Sequence, residues 1–124
     1  MEWQFDSNAP IYLQLVERIT LRIAVGDYPP GTRLPPVREL AMEAGVNPNT
    51  MQRALGELER DGLVYAQRTS GRFVTEDTER IRQARNELAE QRVQTFLRSM
   101  RELGCTPEEI RALVAQTREK EESI

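Results

Sequence analysis

The sequence predicts a mostly α-helical chain with one small β-hairpin: three short helices, the hairpin, a long helix and a last, shorter one. Three observations predict it. Apolar residues recur at helical spacing over residues 12–23, 37–44 and 51–58. Two β-prone runs, LVYAQ and RFVT, flank the polar stretch RTSG, which ends in Gly71. From Glu76 the composition shifts to charged, helix-forming residues that carry a sparse apolar stripe. With 124 residues, 39% hydrophobic and 30% charged, the chain can form one small domain and an appendage, but not two large domains.

Taken in order, Pro10 opens the first helix, Tyr12, Leu15, Val16, Ile19 and Ile23 line one face of it, and Gly26 ends it. The four prolines of DYPPGTRLPP forbid a continuing helix. That segment predicts a turn, a short extended stretch at 32–34 and a new helix start. The second helix, 36–44, presents Val37, Leu40, Ala41 and Ala44 to a core and stops at Gly45. After a turn of about three residues, Asn47 caps the third helix and Pro48 is its first residue. That helix runs to about residue 61, with Met51, Ala54, Leu55 and Leu58 on one face and Asn49, Arg53, Gly56 and Arg60 opposite; Thr50 and Gln52 lie on the flanks.

A hairpin follows, and three helices plus a hairpin make a winged helix-turn-helix. The predicted division is residues 1–75 for that domain and 76–124 for a helical dimerisation region. Within the second part, residues 78–103 predict one long helix. Thr106 and Glu109 predict a capping box around Pro107, and Ile110, Leu113 and Val114 an apolar face, with fraying after Thr117.

Catalysis is poorly supplied. The chain has no histidine, and its single lysine, Lys120, stands near the C-terminus. The usual general base near neutral pH is therefore missing, and a buried Schiff-base lysine is not expected. Acidic pairs such as Glu108–Glu109 and Glu121–Glu122 fit solvated helix ends. The sequence does not predict an enzyme or a cofactor. One cysteine, Cys105, permits neither an internal disulfide nor a cysteine metal cluster. No apolar run approaches the ~20 residues needed to cross a bilayer, and the first residues lack a signal-peptide pattern; a cytoplasmic protein without membrane contact is expected. The formal net charge of −3 does not oppose nucleic-acid binding, because local patches rather than the total set contact electrostatics. Every basic residue except Lys120 is arginine, whose planar fork suits phosphate and guanine.

In a helix-turn-helix the second helix of the pair enters the major groove while the first spans the backbone. The groove-facing candidates are then Asn49, Thr50, Gln52 and Arg53: Asn and Gln can read adenine, and Arg can read guanine or hold phosphate. The competing reading is a plain helical hairpin with a solvated face. Arg38 is a backbone-contact candidate, against a weak surface ion pair with Glu39 or Glu43. Arg68, Thr69, Ser70 and Gly71, at the wing tip, fit a minor groove, against a plain turn that uses glycine for its backbone angles.

With PIYLQLVERI upstream, the stretch PPGTRLPPVRELAMEAGVNPNTMQRALGELERDGLVYAQRTSGRFV resembles the DNA-binding domain of GntR-family bacterial transcription regulators over about residues 10–75. LPPVRELA, GVNPNT and the SGRFV wing carry the resemblance in combination. NPNTMQRAL and the short helical tail are most similar to the YtrA subfamily. The resemblance implies a homodimeric regulator, often a repressor of transporter operons, with DNA contacts from Arg38, Thr50 and the Gly71 wing. Many relatives carry arginine where this chain has Pro48 and Gln52, so their operator sequence does not transfer. No counterpart of the family's larger ligand-binding domains is expected within these 124 residues.

The predicted function is thus a sequence-specific DNA-binding regulator, a repressor, acting as a homodimer on a palindromic double-stranded operator. The alternative is a winged helix used for protein interaction. Ala89, Val93, Phe96, Met100 and Leu103 follow each other by four, three, four and three residues, the alternation of a helix seam, with Leu88 and Leu97 beside them. These seven are the dimerisation candidates. The competing reading fills the stripe with the chain's own last helix.

Overall fold

The computed structural model describes residues 3–122. Its element order is α1 (Ile11–Ala24), α2 (Val37–Ala44), α3 (Pro48–Arg60), β1 (Val64–Gln67), β2 (Gly71–Val74), α4 (Thr78–Glu102) and α5 (Pro107–Glu122). Each predicted element is present. Pro10 and Pro36 serve as N-caps of α1 and α2 rather than as first helical residues, and Gly45 closes α2 in the left-handed conformation at φ 71°. The last helix extends through Glu122, so the charged segment after Thr117 is helical rather than frayed; the Arg118–Glu122 pair, one turn apart at 3.1 Å, bridges that end. The predicted capping box forms, with Thr106 N–H donating to Glu109 and Glu109 N–H donating to the Thr106 hydroxyl at 3.1 and 3.2 Å.

Packing divides the chain into two compact units, the first ending at Glu87 and the second beginning at Leu88. The boundary lies inside α4, beyond the composition shift at residue 76, because Ile81 and Ala84 on the first turns of α4 join the core of the first unit.

In the first unit α3 packs on both α1 and α2. Its apolar face explains this: Met51, Ala54, Leu55 and Leu58 are all buried, together with Leu15 and Ile19 of α1 and Leu40 of α2. Such a helix is held by burial of one face, since thirteen residues are too few for independent stability. The hairpin pairs Val64 with Val74 and Tyr65 with Phe73. Alternation across the strands turns Val64 and Val74 inward and stacks the Tyr65 and Phe73 rings on the opposite face, their centroids 5.6 Å apart. The predicted extended stretch at 32–34 becomes a third edge: Arg33 bridges Phe73, Leu34 N–H donates to the Arg72 carbonyl at 2.8 Å, and Val74 N–H donates to the Thr32 carbonyl at 2.9 Å.

The segment before α1 is fastened to this core. Trp3 lies under the Arg22 guanidinium, 4.3 Å from ring centroid to carbon, and its indole N–H donates to Glu43 Oε1 at 3.1 Å. Arg22, buried, pairs with the same carboxylate oxygen at 3.2 Å. The Trp3 hydrogen bond, with help from Arg22, holds the Glu43 carboxyl below its ordinary value. A depressed carboxyl stabilises the fold fully above the ordinary carboxylate range and loses that contribution as pH falls through the depressed value. Because Trp3 is the sole tryptophan, its emission reports this fastening: acidification should red-shift it at a midpoint below that of a free glutamate, before global unfolding. A midpoint at the ordinary glutamate value would show that the contact exerts no hold on Glu43.

Candidate nucleic-acid interface

The α3 N-terminus is built by its cap. Asn47 is extended, and its side-chain oxygen accepts the Asn49 N–H at 2.8 Å; Pro48 has no N–H, and Met51 N–H donates to the Asn47 carbonyl at 3.1 Å. Among the donors of the first turn, that leaves the Thr50 N–H without a partner among the described residues. It stands beside Asn49, Gln52 and Arg53, all exposed, with the Thr50 side chain half-buried. Asn49 and Arg53 therefore face away from the buried side, with Gln52 and Thr50 on the two flanks.

Charge along α3 is divided. The first turns of α2, α4 and α5 each carry an acidic residue, as the helix dipole favours, whereas those of α1 and α3 carry none. Its two acids, Glu57 and Glu59, fall in the second half, and each is neutralised: Glu57 by Arg60, one turn on, and Glu59 by Arg72 of the wing at 2.5 Å. Among the described residues, the first half of α3 therefore carries no carboxylate.

The arginines divide in the same way. Arg22, Arg60, Arg72, Arg80 and Arg82 of the first unit are ion-paired. Arg38 is exposed and has no ion pair among the described residues, neither with Glu39 nor with Glu43, the two partners the sequence offers; Glu43 is engaged by Arg22 and Trp3 instead. Arg68, Thr69 and Ser70 are exposed at the wing tip, and Gly71 follows at φ 99°, a backbone angle that L side chains rarely adopt. Arg53 has a different restraint. Its guanidinium stacks over the Tyr12 ring of α1 at 3.6 Å, which limits its rotamers and fixes the charge at the α3 surface.

One basic residue was missed by the sequence reading. Arg33 lies in the stretch read only as extended, and its guanidinium rests over Gly71: Nε and Nη2 lie 3.1 and 3.4 Å from where a β-carbon at that glycine would stand. Only the pairing of residues 32–34 with β2 puts it there, and no local motif announces that pairing.

The gntR family of bacterial regulatory proteins matches residues 11–74. The chain belongs to the GntR family. The uncharacterised HTH-type transcriptional regulator YhcF of Bacillus subtilis is 41% identical to this GntR chain over 110 residues, 89% of this chain and 91% of YhcF. The HTH-type transcriptional repressor YtrA of the same organism is 39% identical over 71 residues, 57% of this chain and 55% of YtrA, which supports a YtrA-like subfamily. A GntR-family transcriptional regulator from Listeria monocytogenes superposes with a TM-score of 0.81 at 43% identity, over 90% of this chain and 98% of that one. The AraR DNA-binding domain in complex with operator ORE1 superposes with a TM-score of 0.52 at 31% identity, over 60% of this chain and 94% of that one. This GntR protein is accordingly a DNA-binding transcription regulator with a winged-helix domain and a C-terminal helical part. Among the described residues no helix is long and apolar enough to cross a membrane, and no group of side chains could hold a metal ion.

In the second unit α5 leaves the predicted seam open. Val93 is 54% exposed, Phe96 41% and Leu103 76%, and Ala89 is exposed as well. Leu88, Leu97 and Met100 are half-buried, and Ile110 is the buried residue of α5. Leu113 and Val114 of α5 are themselves exposed and line an apolar groove with Phe96 and Met100. The chain's own last helix thus fails to fill the stripe.

Proposed function

We propose that this GntR protein is a homodimeric repressor that binds a palindromic double-stranded operator, one winged helix to each half-site. Asn49, Thr50, Gln52 and Arg53 read bases in the major groove, Arg38 holds the backbone, and Arg68, Thr69, Ser70 and Gly71 enter the adjoining minor groove. The observation that carries this reading is the polar side of α3: the exposed side of its first half bears no carboxylate among the described residues, its two acids farther along are ion-paired, and the exposed Arg38 and Arg68 have no ion pair among the described residues. The operator complex of the AraR domain and the repressor relative YtrA support it by similarity.

A single winged helix contacts few base pairs, so specificity at physiological salt calls for two copies on half-sites about one helical turn, ~34 Å, apart. The open stripe of Leu88, Ala89, Val93, Phe96, Leu97, Met100 and Leu103 supplies the surface on which two copies join.

Selection of bound duplexes from a random pool should enrich a palindrome. On that duplex Gln52→Ala should weaken binding by ~1–3 kcal/mol, with little change on random DNA, whereas Arg38→Ala should weaken both alike and reduce the salt slope by about one. Equal losses for Gln52→Ala on both duplexes would remove it from base readout. Failure to enrich any sequence, with affinity insensitive to salt, would favour a protein-interaction module instead.

A further inference from the structure

Resting on the reading of the winged helix as a DNA-binding surface, we propose that Arg33 is an additional DNA contact: a backbone clamp at the foot of the wing, gripping a phosphate beside the groove that residues 68–70 enter. Its main chain is pinned on both sides, by Leu34 N–H to the Arg72 carbonyl at 2.8 Å and by Val74 N–H to the Thr32 carbonyl at 2.9 Å. The charge therefore has a fixed origin on β2 rather than on a loose loop. From there the side chain extends over Gly71, its Nε and Nη2 3.1 and 3.4 Å from the position of an absent β-carbon. Glycine serves two needs at this position: it adopts φ 99°, and it leaves a bare peptide on which the guanidinium can lie.

No described residue supplies a partner for this charge. Arg33 is exposed and has no ion pair among the described residues. Glu59, the carboxylate that reaches the wing, is taken by Arg72 at 2.5 Å. Strand alternation separates the two arginines: Arg72 turns toward α3, while Arg33 shares the outer face with Phe73, which it opposes, and with Gly71. An unneutralised planar fork, held at the base of an exposed tip that also carries Arg68, is chemically matched to a phosphate oxygen pair.

The test measures affinity of the full-length protein for the selected duplex and for a random duplex across a salt series, with Arg33→Ala and Arg33→Lys beside the wild type. Arg33→Ala should lower the salt slope by about one on both duplexes and weaken binding about fivefold near ~0.15 M salt, one phosphate's share of counterion release. Arg33→Lys, which keeps the charge, should restore the slope. Thermal melting of each variant separates folding from contact. An unchanged slope in Arg33→Ala overturns the proposal, and so does lost affinity at unchanged slope, which would mark Arg33 as a prop for the wing alone. A wild type that binds neither duplex in a salt-dependent way would instead overturn the DNA-binding reading on which the proposal rests.

Discussion

Phe96→Glu should convert the protein to monomers and reduce its affinity for a palindromic duplex by orders of magnitude, with the winged helix still folded. Phe96 is 41% exposed in the single chain, so a glutamate there meets water and disturbs little. In the proposed dimer the same position is covered, and an unpaired carboxylate would be desolvated on both sides of the seam. Loss of the dimer removes the second half-site from the binding free energy, which is why the effect on DNA greatly exceeds that of a single base contact. Sedimentation would give the assembly state and circular dichroism the fold. A variant that stayed dimeric and bound normally would place the joining surface elsewhere in the chain.

The second large effect concerns stability. Leu58→Ala should destabilise the first unit by about 2–5 kcal/mol, because Leu58 is fully buried in the cluster that fastens α3 to α1 and α2. For a small domain that is a sizeable share of total stability. Urea titration should show a lower midpoint. Since α3 carries the groove-facing residues on its other side, DNA affinity should fall in step with the unfolded fraction rather than through a changed salt slope. A loss below about 1 kcal/mol would mean that the site collapses around the missing side chain.

The helices were legible because their apolar periodicity and stop signals agree. Asn47 before Pro48 and Gly45 at φ 71° set the turn between α2 and α3 by local chemistry alone. The polar side of α3 was equally legible, since burying Met51, Ala54, Leu55 and Leu58 leaves Asn49, Gln52 and Arg53 outside by helical geometry. The end of α5 differs from the fraying that its charged sequence predicts, because pairs one turn apart such as Arg118–Glu122 support a helix in water.

What the sequence by itself determined, then, is the set of elements, their buried faces and the solvent-facing residue types, all of which follow from interactions within a few residues of chain. Tertiary structure alone decided the partners. Glu43 went to Arg22 and Trp3 rather than to Arg38, Arg53 found the ring of Tyr12 on another helix, and residues 32–34 joined β2 and placed Arg33 over Gly71. These contacts join residues about 21 to 41 positions apart, and their geometry depends on how the helices and hairpin pack on a shared core, which no local periodicity encodes.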